Sequence, residues 1–205
     1  PQVAAGKLIL AFAQVERASR YDLADVQVTA SRSGDSWVLN GEKSVVLHGD
    51  SADRLLVTAR VSGGRFDRAG IGLFLVDAKA TGVSRRGYAT QDGLRAAEIA
   101  LANAPGEALG DPEGALGGVE QVVDRAIAAV CAEAVGLMQC MHDATVDYLK
   151  TRQQFGRPIG SFQVLQHRSV DMLVELEQAR SMAMFAAMMA GEADATTRRR
   201  SISAA

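Results

Sequence analysis

The hydrophobic period of the chain changes once, near Gly110, and that change constrains the fold more than any single motif. Upstream, apolar and β-branched residues come in short runs (Val26–Ala30, Trp37–Leu39, Val45–Leu47, Leu55–Val61, Ile71–Val76, Glu98–Leu101) bounded by turn residues. Strands at that spacing with no helix between them predict an antiparallel barrel or sandwich over residues 1–110. Asn40-Gly41, between Trp37-Val38-Leu39 and Lys43-Ser44-Val45-Val46, has the chemistry of a two-residue hairpin turn, which needs positive φ at both positions. Ser33-Gly34-Asp35 reads as a second hairpin.

Downstream, over residues 111–205, apolar residues recur every three and four positions. Asp111 is placed to cap a helix, Pro112 suits its first turn, and Val119–Leu149 continues without a breaker. A second helix is predicted over Phe162–Ala190, with Ser161 as its N-cap and Gly191 as its stop, and a third from Thr196. The fold class is therefore α+β: an antiparallel β domain followed by an antiparallel helical-bundle domain. Helices this long need partners along their length. The sequence thus reads as the middle of a longer protein or as a bundle completed by other subunits, at least dimeric.

Composition narrows the partners. With 205 residues, 48% apolar content and a net charge of -2, a core is affordable and nothing attracts nucleic acid. No apolar run is long enough for a membrane span, and no export signal opens the chain, so a cytoplasmic protein acting on small molecules and other protein surfaces is expected. Cys131 and Cys140 fall on nearly opposite faces of one helix and read as reduced, buried thiols.

Several tempting residues lack the context their chemistry needs. Gly110, Gly114, Gly117 and Gly118 have no Lys-Ser/Thr of a phosphate loop and no strand-loop-helix setting, and Gly70-Ile71-Gly72 lies inside a strand pattern. His48, His142 and His167 show no metal-ligand spacing and stand beside no nucleophile, so no metal site is expected. Arg198, Arg199 and Arg200 read as a solvated face, and Met182, Met184, Met188 and Met189 as core or interface.

The run Tyr148–Gln166 is more specific. A helix closes on Thr151 and Arg152, Gly156 and Arg157-Pro158 break it, and a new helix starts near Ser161. Such a corner brings Arg152 and Gln163 together. A forked guanidinium donor beside a carboxamide, which both donates and accepts, can grip a phosphate or an adenine-ribose. The same residues also suit a purely structural corner, with Arg152 capping the helix end.

Arg152-x-x-Phe155-Gly156 followed by Ile159-x-x-Phe162-Gln163-x-x-Gln166 resembles the acyl-CoA dehydrogenase family. The similarity extends through Leu8–Asp22, Trp37-Val-Leu-Asn-Gly-Glu-Lys43, Gly72-Leu-Phe-Leu-Val76 and Ala134-Val-Gly-Leu137. The resemblance implies the family's middle β domain and the opening helices of its C-terminal domain, without the N-terminal helical domain and the end of the bundle. It implies FAD as cofactor, an acyl-CoA substrate, an electron-transfer acceptor and a homo- or hetero-oligomer. Arg152, Phe155, Ile159, Phe162 and Gln163 would hold the adenosine end of FAD across a subunit interface. The family's reaction removes an α-proton to a base and a β-hydride to flavin N5, giving a 2-enoyl thioester. The usual glutamate base would lie beyond Ala205, and the alternative position falls at Ala126, so the catalytic residue is unknown. Asp124 matches a position that contacts the CoA arm, while a nearby arginine position is Ile127.

On the flavin side the sequence departs from the family. Val15 and Leu47 stand where hydroxyl residues bond the ring, Val45 where an aromatic residue packs, and Tyr21 where a small residue admits the substrate. Unsatisfied ring polar atoms cost about 1–3 kcal/mol each. Two main functions follow from the resemblance: an FAD-dependent acyl-CoA dehydrogenase, or a flavin-poor partner subunit that lends its nucleotide grip to an active one. A scaffold that only mediates association is a third.

Overall fold

A computed structural model describes residues 1–34 and 36–205. It divides into two compact units, Pro1–Val119 and Glu120–Ala205.

The first unit contains β1 (Leu10–Ala13), β2 (Thr29–Ser33), β3 (Ser36–Leu47), β4 (Arg54–Arg60), β5 (Ile71–Asp77), β6 (Val83–Ala89) and β7 (Arg95–Ala108). The strand order β1-β4-β2-β3-β7-β5 closes because β5 also pairs with β4, and β6 lies against β7. Pairing is antiparallel except at β4, which meets β1 and the start of β2 in parallel. Closure leaves few free edges and encloses one apolar core. Leu39, Leu55, Val57, Phe74 and Val76 are fully buried there, and Trp37 packs a tilted ring on Phe74 with centroids 5.4 Å apart. Alternation along β5 and the first half of β4 sets which side chains point in.

The strand centred on Asn40-Gly41 corrects the expected hairpin. β3 runs straight through both residues and pairs with β7 on either side, with a register shift between Leu39 and Gly41. The Asn40 side chain accepts a bond from the Asn103 amide, and the extra residue of this bulge belongs to β7, where Ala102 and Asn103 together face Asn40 and Asn103 has φ +55. Glycine is required there for space: a Cβ at Gly41, φ +133, would lie 2.9 Å from the Val28 Cα. β2 and β3 do form the hairpin expected near Ser33, with Ser33 opposite Ser36, while Asp35 lies outside the described residues. Asp111 also caps something smaller than expected, accepting from the Glu113 amide in the turn before the helix.

The second unit takes up most of α1 (Leu116–Thr151), then β8 (Gln153–Gln154), β9 (Arg157–Pro158), a 3-10 turn at Ile159–Ser161, α2 (Gln163–Met189) and α3 (Ala195–Ala204). Cys131, Val135 and Met138 of α1 meet Leu176, Ala179 and Ala183 of α2. Cys131 is half-buried and Cys140 exposed, so the expectation of two buried thiols fails for Cys140, whose helix face meets nothing in this unit. Ser161 is not the N-cap of α2. Its hydroxyl donates to the Pro158 carbonyl within the 3-10 turn, and Phe162 occupies the cap position without a side-chain bond. Asp194 caps α3 by accepting from the Thr197 amide.

The expectation of a solvated face holds for Arg200, which is exposed, and fails for Arg198. Arg198 is buried and its Nε donates to Asp124 Oδ2 at 2.7 Å, while Arg199 pairs with Glu120. Their acidic partners lie on α1, more than seventy residues earlier, where the local charge pattern cannot show them.

Candidate functional site

Two groups of sequence-predicted residues are placed in separate units. In the second unit, Phe155 and Gly156 form the two-residue turn between β8 and β9, both with positive φ, at +51 and +76. The primed turn anticipated at Asn40-Gly41 is thus found here. Phenylalanine in the left-handed region is a strained placement, and the surrounding contacts hold it. The Ile159 amide donates to the Arg152 carbonyl at 2.8 Å, and the Gln166 side chain donates to the Gly160 carbonyl at 2.8 Å. Phe162 and Phe155 pack edge to face with centroids 6.1 Å apart, and the Arg157 guanidinium lies 4.3 Å from the centre of the Phe162 ring.

Around this fixed corner several polar and aromatic side chains are free. Arg152, Phe155 and Gln163 are exposed, Ile159 and Phe162 half-buried. Phe155 is 89% exposed. Among the described residues neither the Arg152 guanidinium nor the Gln163 carboxamide has a partner. The N-terminus of α2 has no side-chain cap, so its first amides and the positive end of its dipole stay open to an anion.

In the first unit, Val15, Val45 and Leu47 flank the bulge of β3, where the register against β7 shifts between Lys43 and Val46. The Val15 carbonyl accepts from the Ser44 amide at 2.9 Å. Val45 has φ +52, costly for a β-branched residue, and its amide points at Glu98 Oε1, 3.4 Å away. Leu47 is exposed, and Tyr21 lies almost wholly in solvent beyond the left-handed Arg20.

Polar groups near this bulge are engaged with one another. Burial raises the Glu98 pKa, but the Ser44 and Tyr88 hydroxyls, the Val45 amide and Arg17 outweigh it, holding the carboxyl below its ordinary range. Behind the bulge, Lys43 turns into the barrel, donating to Glu16 Oε1 at 2.7 Å and to the Thr58 hydroxyl at 2.9 Å. Glu16 also accepts from the Gln27 and Val28 amides. Desolvation lowers the Lys43 pKa to about 8, against the pull of Glu16. This pair is part of the frame of the site and was not singled out in the sequence. Its signal was a lysine on the inward side of β3, in phase with Leu39.

Asp124 does not stand open to a ligand, since its carboxylate is buried against Arg198. Among the described residues no cluster of His, Cys, Asp or Glu could hold a metal ion, and no helix is long and apolar enough to cross a membrane.

Comparison with known proteins places these two units. Residues 11–103 match the acyl-CoA dehydrogenase middle domain, and residues 119–205 the acyl-CoA dehydrogenase C-terminal domain. The chain is 31% identical over 193 residues to the probable acyl-CoA dehydrogenase YngJ of Bacillus subtilis, covering 91% of this chain and 51% of that protein. A glutaryl-coenzyme A dehydrogenase solved with glutaryl-CoA superposes with a TM-score of 0.85 at 26% identity, over 98% of this chain and 54% of that one. A structure described as the Tcur3481-Tcur3483 steroid ACAD gives a TM-score of 0.71 at 32% identity, over 98% and 57%. The chain spans about half the length of the curated relatives it matches.

Proposed function

The chain belongs to the acyl-CoA dehydrogenase family, and from that premise we propose that it is the nucleotide-gripping subunit of an acyl-CoA dehydrogenase assembly. The assembly's reaction is the α,β-dehydrogenation of an acyl-CoA thioester to 2-enoyl-CoA, with FAD as the hydride acceptor and an electron-transfer protein as its outlet.

The observation that carries this reading is the corner from Arg152 to Gln163. Its backbone is fixed, yet it leaves an unpaired guanidinium, an unpaired carboxamide, an exposed ring and an open helix N-terminus. That donor set fits the adenosine diphosphate half of FAD: Arg152 and the α2 amides suit the phosphates, Gln163 the adenine or ribose, and Phe155 offers a face for stacking.

The ring half does not fit. Val15, Val45 and Leu47 carry only hydrocarbon, the Ser44 hydroxyl is bound to Glu98, and the Val45 amide points to the same carboxylate. A flavin ring against this bulge would leave its polar atoms without side-chain partners, so no chemical step is assigned to this chain's own β unit. The grip instead serves a site whose ring pocket is built by a paired subunit.

Calorimetric titration separates the two halves of the cofactor, using ADP for the nucleotide and FMN for the ring. The expected result is ADP binding that falls about tenfold or more in Arg152→Ala, the loss of one charged hydrogen bond, with no heat from FMN. Binding of FMN together with ADP affinity unchanged in Arg152→Ala would overturn the assignment.

A further inference from the structure

The stretch between Asp147 and Asp171 contains Lys150, Arg152, Arg157 and Arg168 and no acidic residue, in a chain whose net charge is -2. Positive charge is thus concentrated at the corner. Within it the β8–β9 ribbon sorts the side chains by face. Gln154 pairs with Arg157, and the Ile159 amide donates to the Arg152 carbonyl at 2.8 Å, which carries the ladder one step beyond β8. Residues two apart on a strand share a face, so Arg152 and Gln154 lie on the same side of the ribbon as Arg157 and Ile159. Arg152 and Arg157 are then diagonal neighbours, with Cβ atoms about 7 Å apart.

Both arginines are exposed, and among the described residues neither guanidinium has an ion pair or a hydrogen bond. Arg157 is nevertheless held in place. Its guanidinium lies 4.3 Å from the centre of the Phe162 ring, and Phe155 packs against that ring in turn. Attraction to an aromatic ring holds a cation without supplying a hydrogen-bond acceptor, so the N–H donors of Arg157 stay available. Like charges on one face of a ribbon repel, and here no side chain relieves them. An anion bound between them would.

On the reading of this corner as a nucleotide grip, we infer that Arg157 is its second phosphate contact and the residue that makes it select a diphosphate. One guanidinium fork matches one phosphate group, and two forks on one face match two linked phosphates. Arg152 alone would hold AMP about as well as ADP. With Arg157 the second phosphate gains charged hydrogen bonds of its own. The Phe162 ring prepares that contact, since a stacked guanidinium has less freedom to lose on binding.

Calorimetric titration of the intact 205-residue chain with ADP, AMP and adenosine tests this, using the wild type, Arg157→Ala, Arg157→Lys and Arg152→Ala. The wild type should bind ADP about tenfold or more tighter than AMP, the difference that one charged hydrogen bond makes. Arg157→Ala should remove that preference by weakening ADP alone, with AMP and adenosine unchanged. Arg157→Lys keeps the charge but loses the fork, and should recover only part of it. An equal loss for all three ligands in Arg157→Ala would make this side chain a structural prop of the hairpin and overturn the inference. So would ADP binding that Arg157→Ala leaves intact while Arg152→Ala weakens it, a result under which the nucleotide grip itself stands. No ADP binding by the wild type rejects the grip and the inference together.

Discussion

Lys43 and Glu16 meet 2.7 Å apart inside the barrel, the lysine side chain 0% and the glutamate 4% exposed. The pair ties the loop that carries Val15 to the bulge that carries Val45 and Leu47, with Thr58 and the Gln27 and Val28 amides completing the bonds. Removing one partner strands the other in the core. Lys43→Met and Glu16→Gln are each expected to lower stability by about 3–5 kcal/mol, and the double variant by less than the sum. Urea unfolding of the three proteins gives the values, and strict additivity would mean the two groups do not act as a pair.

The same lysine sets a pH dependence. Its folded pKa, about 8, lies below the ordinary 10.5 because of desolvation. Below about pH 8 the folded and unfolded chains both carry the proton, and the cost of burying the charge is fully present. Between about 8 and 10.5 the unfolded chain binds more protons, so this group's contribution makes stability rise with pH. Asp25 works at the other end: hydrogen bonds from Arg65 hold its pKa below 3.8, so its contribution is present above 3.8 and lost as pH falls through the lower folded value. Urea midpoints across pH should show the alkaline rise disappear in Lys43→Met and the acid loss shrink in Asp25→Asn.

Arg198 fastens α3 to α1. A helix of ten residues has little stability of its own, and this one is held by Asp124, by the Glu192 carbonyl that also accepts from Arg198, and by buried Ile202. Arg198→Ala leaves the Asp124 carboxylate buried without its cation, and the strain is relieved by opening α3. Hydrogen exchange over Ala195–Ala204 should speed up sharply while the barrel strands keep their protection. Unchanged exchange in α3 would show that the ion pair does not hold it.

How much of this was legible depended on the range of the interaction. The break between β domain and helices, the ends of α1 and α2 and the corner at Arg152 were readable because Gly110, Gly156, Pro158 and Gly191 act locally. Asn40-Gly41 misled because Gly41, at φ +133, serves a strand that passes close to Val28, and the irregularity beside it lies in the extra residue of β7, far away in the sequence. The Lys43–Glu16 and Arg198–Asp124 pairs join residues 27 and 74 positions apart, a separation at which neighbouring sequence carries no trace of the partner.

Gly41→Ala tests the close approach of β3 to Val28. The substitution adds a methyl 2.9 Å from the Val28 Cα at φ +133, so it should destabilise by well over 1 kcal/mol. Gly34→Ala, at φ +62 with nothing within 4 Å, carries only the backbone penalty and should cost less. Equal losses in thermal unfolding would remove the argument from close approach.

The division of the cofactor between chains is tested most directly by flavin content. The protein is purified alone, equilibrated with FAD and desalted, and bound flavin is read from its absorbance for the wild type, Arg152→Ala and Leu47→Ala. The account predicts far less than one FAD per chain in the wild type, a further loss in Arg152→Ala and no change in Leu47→Ala. Stoichiometric FAD in the isolated chain, emptied by Leu47→Ala alone, would contradict it and identify a self-sufficient dehydrogenase with an unusual ring pocket.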